Sequence, residues 1–192
     1  MVRVGILALQ GNFADHERVL GVLGVETRRV RRGSDLKEID GLIIPGGEST
    51  VMRKLLREYD LEERLIEFAH SGKPIMGTCA GAILIGRVPG GEEGLGLVDV
   101  TIERNSYGRQ VESFVTPLSI PQLGENVLEG MFIRAPRILN SGPGIETLAT
   151  LGENPVLVRQ DREDGVRALL ATFHPELTDD RRIHVLFLDM IR

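Results

Sequence analysis

Pro74-Ile75-Met76-Gly77-Thr78-Cys79-Ala80-Gly81-Ala82-Ile83-Leu84-Ile85 is the stretch that decides how this chain folds. A short apolar run leads into a glycine, a cysteine with small residues around it, a second glycine and a small apolar stretch suited to a helix. Small residues two before and two after a nucleophile mark a tight strand-to-helix turn, which presents the side chain at the carboxyl edge of a sheet. The glycines matter because such a turn is crowded and its backbone strained. A thiol there sits at a helix N-terminus, whose partial positive charge favours thiolate. Against this stands the usual fate of a free cysteine, which packs as a small buried hydrophobe. Cys79 is the only cysteine. An intramolecular disulfide is therefore impossible, and the chain suits a reducing cytoplasm.

Outward from this turn, strands alternate with helices. Val2 to Leu9 reads as a buried strand ending in Gln10-Gly11-Asn12. A helical segment follows, with Phe13, Val19, Leu20, Val22 and Leu23 on or near one face. Val25 to Val30 and Gly41 to Ile44 read as strands, the latter closed by Pro45-Gly46-Gly47. Ser49 to Tyr59 and Leu61 to Ala69 read as helices, and Pro74 to Thr78 as the strand entering the turn. This alternation predicts a doubly wound, mainly parallel α/β sheet with helices on both faces. Ligands bind such sheets beyond the carboxyl ends of the strands, where Gln10-Gly11, Gly46-Gly47 and Cys79 all fall.

The middle is different. Val98 to Glu103, Val111 to Ile120 and Met131 to Ile133 read as short antiparallel strands on the sheet's margin, and Arg87 to Gly96 as loop. Pro155 to Gln160 and Val166 to Phe173 read as a late hairpin. A helix from Asp179 to Met190, capped by Thr178, closes the chain. The 192 residues contain no repeat or linker, and the expectation is one domain over 1–192. The net charge of −5 leaves no basic excess for neutralising phosphates, so nucleic acid is not the expected partner. The run Arg28-Arg29-Val30-Arg31-Arg32 reads as a solvated strand end. No apolar run approaches the roughly 20 residues of a membrane helix. P-loop, dinucleotide and metal-ligand spacings are missing, so neither a cofactor nor a metal is expected.

A thiol nucleophile needs a base, and the base needs an orienting group. His174-Pro175-Glu176 follows the last strand and offers both. Pro175 biases His174 toward an extended conformation, in which residues two apart share a side. The other histidines, His16, His70 and His184, fall on or beside helices and read as surface or packing residues. Attack on a carbonyl also needs donors for the oxyanion. The Ala80 backbone N–H and the Gly46-Gly47 loop are placed to supply them. Acyl transfer through a thioester is the leading reaction class.

Pro45-Gly46-Gly47-Glu48-Ser49, Gly77-Thr78-Cys79-Ala80-Gly81 and His174-Pro175-Glu176 resemble the triad, or class I, glutamine amidotransferases. Leu9-Gln10-Gly11, Arg104-Asn105-Ser106-Tyr107-Gly108-Arg109-Gln110 and Ile133-Arg134-Ala135-Pro136 narrow the resemblance to the glutaminase subunits of pyridoxal 5'-phosphate synthase. It covers essentially the whole chain. The resemblance implies Cys79 as nucleophile, His174 as base, Glu176 as its partner, and Gly47 and Ala80 as the oxyanion hole. It implies that Gly47, Glu48, Ser49, Arg104, Ile133 and Arg134 hold L-glutamine. It further implies transfer of the ammonia to a separate, oligomeric, barrel-fold synthase subunit, with Gln10 and Gly11 near that interface. Three readings compete: a glutaminase serving another synthase, a non-catalytic binding module on the same fold, and a Cys-His peptidase.

Overall fold

The computed structural model describes residues 2–91, 94–104, 113–161 and 165–191. The chain runs β1 (Arg3–Leu7), α1 (Phe13–Val22), β2 (Glu26–Val30), β3 (Gly41–Ile44), α2 (Ser49–Glu58), α3 (Glu62–Ala69), β4 (Ile75–Thr78) and α4 (Ala80–Ile85). It continues through β5 (Val100–Glu103), β6 (Ser113–Leu118), β7 (Leu128–Ile133), β8 (Arg137–Ser141), β9 (Glu146–Leu151), β10 (Asn154–Gln160), β11 (Ala168–Ala171) and α5 (Arg182–Ile191).

The main sheet has the order β2-β1-β3-β4-β11-β10-β9. Its first five strands are mutually parallel, and β10 and β9 extend it antiparallel. Because side chains alternate across a strand, neighbouring residues feed opposite cores. Leu42 and Ile44 pack with Leu56, Leu65, Phe68 and Leu84 from α2, α3 and α4. Ile43 between them packs on the other face with Leu20 of α1 and Ile183 and Phe187 of α5. Burial on both faces is why these strands read as continuous apolar runs. The order reverses between β1 and β3, which opens a crevice at their carboxyl ends.

The doubly wound architecture matches the expectation, with differences in detail. β5 pairs with β8, and β6 with β7, as two separate antiparallel ribbons outside the main sheet. The strands β8 and β9 carry no clear period-two pattern and are legible only through their partners. Val22 is exposed; the buried stripe of α1 is His16, Val19 and Leu20. Thr178 does not cap the last helix. It ends a 3-10 turn at Pro175–Leu177, and its hydroxyl donates to the Pro175 carbonyl at 3.3 Å. The helix starts later because the Asp180 carboxylate accepts the Arg182 backbone N–H at 3.0 Å. The arginines of β2 are paired: Arg28 with Asp35 and Glu38, and Arg29 with Glu17. Residues 105–112 and their Asn105-to-Gln110 motif lie outside the described residues.

Candidate active site

The β4–α4 junction is the tight turn that the glycines forecast. Cys79 has φ 49° and ψ −107°, a left-handed conformation that a residue with a Cβ adopts only under strain. The strain is held from both sides. The Cys79 N–H donates to the Ala171 carbonyl on β11 at 2.9 Å, and Ile83 N–H returns to the Cys79 carbonyl at 3.2 Å. The side chain is almost wholly enclosed, with Sγ 3.8 Å from the Ile133 carbonyl oxygen.

His174 arrives from β11, the neighbour of β4. Its N–H donates to the Met131 carbonyl at 2.8 Å, and Phe173 before it packs on Phe132, ring centroids 5.6 Å apart. Thus β7 fixes where the imidazole enters. His174, at φ −109° and ψ 85°, is non-helical but not fully extended, and Glu176 reaches it through the 3-10 turn that Pro175 begins and not along a strand. The His174 Nδ1 to Glu176 Oε1 distance is 2.7 Å. That leaves Nε2 for Cys79, whose side chain acts on the imidazole. Burial opposes the charged imidazole. The hydrogen bonds and charges of Cys79 and Glu176 outweigh it and raise the His174 pKa to about 10. Burial likewise opposes the charge on fully enclosed Glu176, yet His16 and His174 draw its pKa down to about 2.

The Gly46-Gly47 loop closes over this pair. A Cβ on Gly46 would strike the His174 ring and lie 3.5 Å from the Cys79 Cβ. The Asn12 N–H donates to the Gly46 carbonyl at 3.0 Å, and Gly11, at φ 98°, has no Cβ to block that approach. The Gln10 Oε1 accepts the Glu48 N–H at 2.9 Å. Gln10 and Gly11 are therefore bonded to or packed on the loop containing Gly46, Gly47 and Glu48. Ala80 opens α4, where first-turn N–H groups have no acceptor within their own helix. Ser49 is buried at the start of α2. Glu48 and Arg134 face each other at 4.0 Å, both exposed, and Arg134 has φ 42°. Arg104 is half-buried in the bend that ends β5.

Of the histidines read as surface or packing residues, two pack inside and carry polar contacts to the site that this reading does not foresee. His16 and His184 are fully buried, with His16 Nδ1 and His184 Nε2 3.0 Å apart. The His16 Nε2 lies 3.2 Å from the Thr78 hydroxyl and 3.5 Å from Glu176 Oε2. The signal is present in the sequence: His16, Val19 and Leu20 stand at i, i+3 and i+4, one helical stripe. Burial, only partly offset by Glu176, lowers the pKa of His16. Burial and His16 lower that of His184 to about 3. Both imidazoles are neutral in the fold and protonate once it opens.

Stability should therefore fall as pH drops below about 6.5, where the unfolded histidines begin to bind protons. His184 alone would cost on the order of 5 kcal/mol between pH 6.5 and 3. Glu176 adds to the loss below its ordinary 4.5, down to about 2. His174 acts oppositely: its contribution is complete below 6.5 and fades as pH rises toward about 10. Urea midpoints measured from pH 4 to 10 should peak near pH 6.5 and fall most steeply on the acid side. A flat acid limb would refute neutral burial of the pair.

An enclosed sulfur on a strained turn, backed by a buried histidine–glutamate pair at the carboxyl edge of a parallel sheet, defines a class I glutamine amidotransferase-like protein. A solved structure described as a glutamine amidotransferase superposes with TM-score 0.90 at 44% identity, covering 98% of both chains. The fold extends further: the structure of PurLQS from Thermotoga maritima superposes with TM-score 0.71 at 18% identity, covering 100% of this chain and 99% of its own. The chain belongs to the SNO glutamine amidotransferase family, whose model matches residues 6–192. Among curated relatives, the protein named pyridoxal 5'-phosphate synthase subunit PdxT of Pelotomaculum thermopropionicum is 50% identical, over 98% of this chain and 94% of its own. The PdxT subunit of Thermotoga maritima is 47% identical over all of both chains.

Proposed function

We propose that this chain, acting as one domain over residues 1–192, is the glutaminase subunit of a pyridoxal 5'-phosphate synthase. The observation that carries the reading is the convergence of Cys79, His174 and Glu176 beneath the Gly46-Gly47 loop. Full-length relatives bearing that subunit's name support the choice of pathway. Cys79 Sγ, its proton already held by the charged His174, attacks the side-chain amide carbon of L-glutamine. Gly47 and Ala80 N–H groups receive the oxyanion. Collapse expels the amine, which leaves as ammonia with the proton from His174. Water then adds to the glutamyl thioester, giving its proton to His174; glutamate departs, and the sulfur is again left beside the charged imidazole.

Glutamine is held by Gly47, Glu48, Ser49, Arg104, Ile133 and Arg134. A guanidinium pairs with both oxygens of an α-carboxylate, and a carboxylate such as Glu48 suits the α-amino group. Ammonia set free in solution is lost, so a separate oligomeric, barrel-fold synthase receives it, docking near Gln10 and Gly11. That assembly works in the cytoplasm; among the described residues no helix is long and apolar enough to cross a membrane. The test measures glutamate release by the full chain with and without a candidate synthase. Glutamine should be hydrolysed, faster with the synthase present. Pyridoxal 5'-phosphate formation from glutamine should need both proteins, while an ammonium salt should bypass this one. No turnover with the synthase present would overturn the reading.

A further inference from the structure

The geometry points to His16 as a positioning residue: a neutral imidazole whose Nε2–H holds the free oxygen of Glu176 and so fixes the histidine–glutamate pair from behind. This rests on the glutaminase reading of Cys79, His174 and Glu176. Glu176 Oε1 is engaged by His174 at 2.7 Å and by the Asn12 side-chain amide at 3.4 Å. Its Oε2 is buried without a hydrogen-bond partner at ordinary range among the described residues. The polar atom facing that oxygen is His16 Nε2, at 3.5 Å.

The tautomer follows from what surrounds the ring. One hydrogen must lie between His16 Nδ1 and His184 Nε2. If His16 carried it there, its bare Nε2 would set a lone pair against the carboxylate, and the buried, unpartnered Nδ1 of His184 would have to carry a proton. With the hydrogen on His184 Nε2 instead, His16 keeps Nε2–H and aims it at Glu176 Oε2 and the Thr78 hydroxyl. Both recipients matter, since Thr78 is the residue before the nucleophile. One ring thus braces the two arms of the site. The same helix end adds Asn12 and Arg18, whose guanidinium donates to the Glu176 carbonyl at 3.0 Å.

The charged and titratable groups bearing on His16 are Glu176 and His174 from the active site, His184 from α5 and Asp15 from its own helix, while Arg18 of that helix bears on His184. Glu176 and Asp15 favour a charged ring, and burial and His174 oppose it. Neutrality is required for the role, because a charge that came and went with pH would move Glu176.

The test compares His16→Leu with His16→Gln, whose amide nitrogen falls near the position of Nε2. In the full chain with its synthase, leucine should lower kcat about tenfold or more while KM changes little, since what is lost is the one polar group facing a buried carboxylate oxygen, at 3.5 Å. The acid limb of kcat/KM should move up by about one pH unit, because Glu176 is left less well solvated. Glutamine should recover most of both losses. Wild-type chain labelled with ¹⁵N-histidine gives a readout needing neither a variant nor turnover: His16 should show the neutral Nε2–H tautomer from pH 5 to 9. A charged ring or an Nδ1–H tautomer would overturn the inference. So would a folded leucine variant with wild-type kcat and pH profile. A wild type inactive toward glutamine would instead strike at the glutaminase reading, leaving the tautomer to decide this one.

Discussion

Cys79→Ala should abolish glutamine hydrolysis, with a fall on the order of ten-thousand-fold or more, and leave the fold intact. The size follows from the chemistry. Without sulfur there is no thioester, and the remaining donors can only polarise an amide that water attacks slowly. The fold should survive because alanine keeps the same Cβ in the same strained backbone at φ 49°. The hydrogen bonds that hold the turn are made by main-chain atoms and do not involve the sulfur. A glycine comparison separates strain from chemistry. Cys79→Gly is equally inactive but escapes the cost of a left-handed residue, so it should be more stable than the alanine variant by about 1 kcal/mol. Glutamate release and thermal midpoints on the three proteins give both readouts. An alanine variant retaining about a hundredth of wild-type turnover would take the nucleophile's role away from Cys79. A glycine variant no more stable than alanine would mean the turn is not strained.

The sequence makes the centre of the molecule plain and its rim obscure, for a physical reason. β1, β3, β4 and β11 are buried on both faces, so their apolar runs carry a strong signal. The parallel order then brings their carboxyl ends, and hence Gln10, Gly46, Cys79 and His174, to one edge. β8 and β9 escape because their residues are largely exposed, and pairing with β5 and β10 makes them strands. The start of α5 is misplaced in the sequence because Thr178 offers a capping oxygen; the turn opened by Pro175 takes up Thr178, and Asp180 accepts the Arg182 N–H instead. His16 is hidden for another reason. Its value lies in Glu176, far away in the chain, and its own helix shows only that it points inward.

Gly81→Ala should destabilise the chain by about 3 kcal/mol and impair catalysis, although alanine is the better helix former. The residue lies in α4, where glycine normally costs roughly 0.5–1 kcal/mol relative to alanine. Here a Cβ would land on the Ile44 carbonyl oxygen, 2.8 Å from the Ile44 carbonyl carbon and 3.1 Å from the Pro45 oxygen. These are backbone atoms at the end of β3 and cannot rotate aside, so α4 and β3 must separate. Gly77 is equally constrained: a Cβ there would lie 2.7 Å from the Gly81 carbonyl carbon and 2.8 Å from the Ala82 nitrogen. Separation would carry Pro45-Gly46-Gly47 away from Cys79 and His174, so activity should fall in the fraction that remains folded. A chain of this size should melt roughly 6–12 °C lower for such a loss. Gly21→Ala in α1 is the matched control, since nothing lies within 4 Å of its Cβ position. There the ordinary helix preference should act alone, raising stability by about 0.5 kcal/mol or more. The same substitution in two helices should thus have opposite signs. Equal melting temperatures for wild type and Gly81→Ala would mean that α4 does not press on β3, and the elbow would lose the contact that sets the sulfur under the glycine loop.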